Sequence, residues 1–133
     1  MDKTALVEKD FNDGRILIKQ LDRQEINVHS ALWLYNPDEE NWRLIIASRI
    51  AEFTSPKRAY NLVKKALRIL ENTQGEFGIT LDNISVVSPN HPLIKLLAVV
   101  IVTEPDALTG FRLSRNRINN SFIEDAYIYR LQS

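Results

Sequence analysis

The sequence predicts an α+β domain: a mostly antiparallel or mixed sheet with helices packed largely on one face. Three observations predict it. Apolar residues recur at steps of three and four over 4–23 and again over 56–70, which is the helical period. They recur at steps of two over 26–35, which is the strand period. Proline and glycine punctuate the boundaries between these runs. The element order read in this way is α-β-β-α-β-α-β-β, within one domain spanning 1–133.

The first helix runs from Thr4 to about Arg23. Val7, Phe11, Gly14, Ile18 and Leu21 share a face, with Leu6 and Leu17 alongside, and Thr4 is the expected N-cap. Gly14 costs about 1 kcal/mol relative to alanine in mid-helix, so a bend or break is expected there. In the next strand Ile26, Val28, Ser30, Leu32 and Leu34 alternate with Asn27, His29, Ala31, Trp33 and Tyr35. Asn36–Asn41 is a polar, acidic loop of roughly six residues, and Trp42–Arg49 returns antiparallel to it.

Ser55-Pro56 is a helix start, with serine at the N-cap and proline at the first helical position. Ala59, Leu62, Val63, Ala66, Leu67 and Leu70 form its apolar stripe, and Gly75 and Gly78 mark its exit. Ile84–Ser88 is a short strand closed by Pro89. His91-Pro92 opens a third helix through about Val102, and the unbroken apolar run 96–102 makes it the most deeply buried of the three. Phe111–Ser114 and Ala126–Leu131 are the last strands, with a polar stretch between them.

Composition excludes several classes. Apolar residues make up 44% and charged residues 26%, ordinary for a globular chain and unlike a disordered or collagenous one. The absence of cysteine removes disulfides, thiol nucleophiles and thiolate metal sites. No apolar run has the length of a signal peptide or a membrane span. Two glycosylation sequons, at Asn83 and Asn119, read as chance, and no internal repeat is present. The zero net charge divides unevenly: residues 1–55 carry −3 and residues 56–133 carry +3.

Two regions are candidates for binding an anion. Arg112, Arg115, Arg117 and Arg130 alternate with Asn116, Asn119 and Asn120 and with Phe122, Tyr127 and Tyr129. Arginine forks onto phosphate, asparagine reads base edges and tyrosine stacks on bases. The same segment also reads as a polar hairpin whose arginines pair with Glu124 and Asp125. Lys57, Arg58, Lys64, Lys65 and Arg68 form a second basic row with no acid between residues 53 and 70. That row equally describes the solvated side of an amphipathic helix. The two regions gain weight together if they share a surface.

His29 and His91 are the only histidines, and neither stands in a recognisable triad or metal-ligand spacing. No phosphate-cradling glycine motif occurs, and the pattern calls for no cofactor and no metal. A site assembled from distant residues such as His29, Arg43, Glu124 and Arg130 is open to a fold that brings them together. Trp33, Tyr35 and Trp42 read as sheet packing, or as an apolar patch if no helix covers them.

Residues 31–35 (Ala-Leu-Trp-Leu-Tyr), 42–47 (Trp-Arg-Leu-Ile-Ile-Ala) and 123–130 (Ile-Glu-Asp-Ala-Tyr-Ile-Tyr-Arg) together resemble a group of short bacterial proteins of uncharacterised function. The resemblance implies a cytoplasmic bacterial protein and carries no catalytic residue. The leading expectation is a non-enzymatic binding or regulatory module, with a homodimer through a sheet edge at Tyr127–Leu131 as its expected assembly. The alternatives are a nucleic-acid or other anionic ligand, and an enzyme with a dispersed site. No membrane partner is expected.

Overall fold

A computed structural model describes residues 6–133. Its elements are α1 (Glu8–Arg23), β1 (Val28–Asn36), β2 (Asn41–Ser48), a single-turn α2 (Ile50–Phe53), α3 (Pro56–Gln74), β3 (Ile84–Val87), α4 (Pro92–Leu97), β4 (Phe111–Ile118) and β5 (Ser121–Leu131). The five strands form one mixed sheet in the order β3-β2-β1-β5-β4. Only β2 and β3 run parallel, joined by the α3 crossover. The architecture is α+β with the expected element order.

Two layers cover the sheet unequally. On the first face, Leu17, Ile18 and Leu21 of α1 and Val63, Ala66 and Leu70 of α3 pack over Ala31, Trp33, Leu44, Ile46 and Ile84. On the second, the six-residue α4 lays Ile94 and Leu97 over Leu32, Ile45, Ala47, Ala126 and Ile128. The central strands are thus buried on both sides, which is why 44–47 reads as a continuous apolar run.

Local chemistry explains several boundaries. The Ser55 side chain accepts a hydrogen bond from the Arg58 N–H at 3.3 Å, Pro56 begins α3, and Gly75 at φ 73° ends it. His91 Nδ1 accepts from the Leu93 N–H at 3.1 Å and so caps α4. Thr4, the expected cap of α1, lies outside the described residues. Among those described, the Asp10 carboxylate accepts from the Val7 N–H at 3.0 Å.

Other expectations are corrected. Gly14 neither bends nor breaks α1, which is continuous through it. It is there for close approach: a Cβ at this position would run into the Tyr129 hydroxyl and lie 3.1 Å from Trp33 Nε1. That hydroxyl accepts from Trp33 Nε1 at 2.9 Å and donates to the Phe11 carbonyl at 2.7 Å. Burial pushes its pKa upward, although the Trp33 N–H pulls the other way.

The third helix stops at Leu97 and not at Val102, and it is not the most buried. Val99, Val100 and Val102 are 64%, 51% and 53% exposed. Residues 98–100 continue as a tighter turn, the Val99 and Val100 N–H groups donating to the Leu96 and Leu97 carbonyls at 3.2 and 3.0 Å, and Thr103 then carries the chain alongside the end of β5, its N–H donating to the Leu131 carbonyl at 2.7 Å.

The last two strands are longer than the sequence suggests. They meet in a two-residue turn, Asn119-Asn120, with Asn119 at φ 55°. The polar stretch is therefore a hairpin arm and not a loop. β5 is also not a sheet edge, since it lies between β1 and β4, and Tyr129 is fully buried. The true edges are blunted. The Tyr60 hydroxyl accepts from the Val86 N–H at 3.1 Å on β3. Asn116 Nδ2 donates to the Ser114 carbonyl at 2.8 Å on β4, and Arg115 breaks the β4 ladder at φ 49°.

Two bulges override simple alternation. His29 is an extra residue in β1 against β2, so Val28 faces the same layer as Ala31 and Trp33. Tyr129 is an extra residue in β5 against β1. It allows Tyr129 and Arg130, consecutive in sequence, both to reach α1. The Arg130 guanidinium is 2% exposed. It forks onto Asp22 at 3.0 and 2.9 Å and donates to the carbonyls of Ala107 at 3.0 Å and Val28 at 3.2 Å.

Two outcomes follow from this packing. Gly14→Ala is expected to lose about 1–3 kcal/mol by overpacking, despite alanine's better helix propensity. In thermal denaturation Tyr129→Phe should absorb part of that loss, so the two changes are non-additive. Asp22→Asn leaves a buried guanidinium short of its counter-charge and should cost about 2 kcal/mol, with a lower urea midpoint at unchanged m. That is below the range for a fully enclosed pair, because Asp22 itself is 38% exposed.

Candidate functional site

The structure disperses the arginines. Arg130 is interior and its donors are occupied as described. It therefore leaves the candidate anion site and becomes a structural tie between β5 and α1. Arg112, Arg115, Asn116 and Arg117 lie on β4, with Asn119 in the turn beyond them. Within this group Arg112 is also committed. Its Nε and Nη2 each lie 2.6 Å from an Asp125 oxygen, and its guanidinium stands 5.6 Å from the Trp42 ring centre and 6.0 Å from that of Phe11. Ser114 donates to the same carboxylate at 2.9 Å. Burial opposes ionisation of Asp125. The hydrogen bonds from Arg112 and Ser114 and the charge of Arg112 outweigh it and hold the carboxyl below its ordinary value. The same pairing raises Arg112.

Arg115 and Arg117 are exposed and have no acidic partner among the described residues. Arg115 stands opposite Glu124 where the ladder is interrupted: Ser114 pairs with Asp125 and Asn116 with Ile123, but no pairing joins the two residues between. Both line a cleft of about 530 Å³ together with Tyr35, Trp42, Ser114 and Asp125. Tyr35 and Trp42 form one wall, their rings 5.4 Å apart and tilted.

Lys57, Arg58, Lys64, Lys65 and Arg68 are all exposed on α3, as the helical period expects, and none has an acidic partner among the described residues. At 100° per residue they fall within about 120° of arc and extend over roughly 16 Å of helix. α3 sits over the β3 side of the sheet, where Tyr60 meets Val86. The arginine-bearing strand is the opposite edge, roughly 19 Å away at four strand spacings. The two basic regions therefore do not share a surface.

The dispersed set of His29, Arg43, Glu124 and Arg130 is not brought together either. Arg43 donates to Ser85 Oγ and to the carbonyls of Asp82 and Ile84, clasping β3. His29 Nδ1 lies 2.8 Å from Ser30 Oγ at the β1 bulge. Burial lowers the His29 pKa, assisted by the charge of Lys95 and opposed by a hydrogen bond involving the Ser133 backbone. Only Glu124 of the four lines the cleft. Among the described residues no cluster of three His, Cys, Asp or Glu forms, and no helix is long and apolar enough to cross a membrane.

Two arrangements were not visible in the sequence. Asp13 is buried on α1, accepting from Lys9 Nζ at 2.7 Å and from the Gly78 N–H at 2.9 Å. The cleft joins residues from β1, β2, β4 and β5, which only strand order can bring together. The aromatic pair Tyr35 and Trp42 flanking a short turn was its one visible trace. No family model matches this chain, no curated protein matches it, and no solved structure matches it.

The Arg112–Asp125 pair has a pH signature. The folded carboxyl lies below its unfolded value of about 3.9, so the pair's stabilisation is complete above about pH 4 and is lost as pH falls through the folded pKa. Both side chains are partly exposed, so its size is at most about 1 kcal/mol. Urea titrations from pH 7 to pH 2 should show the wild type losing stability more steeply than Asp125→Asn, the two converging in acid.

Proposed function

We propose that this chain is a non-enzymatic binding module of a bacterial cytoplasm, and that it engages the phosphate backbone of a nucleic acid through the basic face of α3. The observation that carries this reading is the row of five exposed cations on one arc of α3, none of them neutralised by a described acid. Asn61, the residue between them on the same arc, is polar. A protein-binding patch ordinarily has an apolar centre from which charge is depleted, and this face has none. A backbone contact needs only cations at the spacing of a helix face, because phosphate contacts position without reading sequence.

The arginines of β4 are not part of this surface. Arg112 is held by Asp125, and the strand lies at the far edge of the sheet. The reading therefore replaces the joint use of both basic regions with the helix alone.

Fluorescence anisotropy with a labelled DNA duplex tests it. If all five cations meet phosphates, log affinity should fall with log salt at a slope of roughly −4 to −5. Replacing Lys64, Lys65 and Arg68 together by glutamate should abolish binding, whereas Arg115→Ala with Arg117→Ala should leave it unchanged. Binding that ignores salt, or that disappears with the hairpin pair instead, refutes the assignment.

A further inference from the structure

The cleft between the two hairpins is a separate matter from the basic helix. Arg115 and Glu124 stand opposite each other across β4 and β5, yet no ion pair joins them. Opposite charges at facing strand positions ordinarily pair. Here the backbone of Arg115 is in the left-handed region, at φ 49°, which takes the residue out of the regular ladder. A non-glycine residue in that conformation is strained, and such strain is retained where the surroundings hold it. The surroundings do so here: Ser114, immediately before it, is bonded to Asp125, and Asp125 is clamped by Arg112. The result is one cation and one anion presented to the same cleft, over a fixed floor whose own charges are mutually satisfied.

The cleft continues. A second depression of about 230 Å³ shares Tyr35 and Glu124 with it and is lined otherwise by Leu34, Pro37, Phe122 and their neighbours. Phe122 is 52% exposed there. A charged head region thus adjoins a mostly apolar annex, with Glu124 at the junction.

We infer that this composite cleft binds a small zwitterion, an α-amino acid with an apolar or aromatic side chain. Its carboxylate meets the Arg115 guanidinium, its ammonium meets Glu124, and its side chain lies in the annex against Leu34, Pro37 and Phe122. Arginine suits the carboxylate because its fork matches two oxygens. Among the described residues neither protein charge has an ion-pair partner to be stripped away on binding.

Two-dimensional ¹H–¹⁵N NMR of the intact chain, titrated with L-phenylalanine, tests this. Saturable shifts are expected at the amides of Ser114, Arg115, Glu124 and Asp125 and at the Trp42 indole. Phenethylamine lacks the carboxylate and 3-phenylpropionate lacks the ammonium, so each should bind about tenfold more weakly or worse. Arg115→Gly suits the left-handed backbone and removes the guanidinium. It should reduce phenylalanine to the affinity of phenethylamine and leave phenethylamine itself unchanged. Glu124→Gln should have the converse effect, with phenylpropionate unaffected. The inference is overturned if phenylalanine gives no saturable shift, or if either half-ligand binds wild type as well as the whole. The half-ligand comparison needs no variant, so a poorly folding substitution does not spare the proposal. Neither result depends on whether the chain binds DNA.

Discussion

The interior guanidinium of Arg130 is the constraint around which the rest of the structure is arranged. A charge with 2% exposure is tolerable only if every strong donor finds an acceptor. Meeting that demand fixes four parts of the chain at once: the end of α1 through Asp22, the β1 bulge through the Val28 carbonyl, the 98–110 connection through Ala107, and β5 itself. The Tyr129 bulge is what lets the arginine turn toward α1 while Tyr129 occupies the space that Gly14 leaves open. A small helix residue, an extra strand residue and a buried ion pair are therefore one device. It sets the height and angle of α1 over the sheet.

This device also explains where the charge of the molecule ends up. Of the nine arginines and lysines in the two basic regions on β4, β5 and α3, two are absorbed by structure: Arg130 by Asp22 and Arg112 by Asp125. What remains accessible is divided between opposite edges of the sheet. Under the proposed readings the row on one helix would meet a long, featureless polyanion, and the arginine facing a glutamate something small with both signs. Strand order is what separates the two regions.

Much of the fold was legible because its signals are local. Ser55-Pro56, Gly75 and His91-Pro92 mark boundaries through groups only a few residues apart, and the first hairpin is marked by a polar turn between two apolar strands. The rest depends on partners far along the chain. Asp22 and Arg130 are separated by 108 positions, and nothing near either one announces the pairing. The bulges at His29 and Tyr129 defeat a strict period of two, so the faces of β1 assigned by alternation are mixed beyond Val28. The hairpin arm was hidden for a related reason: polar residues on an edge strand with a left-handed arginine carry no alternation to detect. The cleft was least legible of all, since it consists of side chains from four strands whose adjacency is a property of topology.

The unequal layers have a mechanical consequence. Helices of 16 and 19 residues cover one side of the sheet, and a six-residue helix followed by solvent-facing valines covers the other. Opening the thin side uncovers the smaller cluster around Leu32, Ile45, Ile94, Leu97 and Ile128, whereas opening the thick side requires undoing the larger core. The molecule thus has a stiff back and a compliant front. The 98–110 segment is held against β5 by Thr103 on Leu131, Thr109 on Tyr129 and Ala107 on Arg130. The same arginine that orders the rigid side is also the tether that limits how far the soft side can travel.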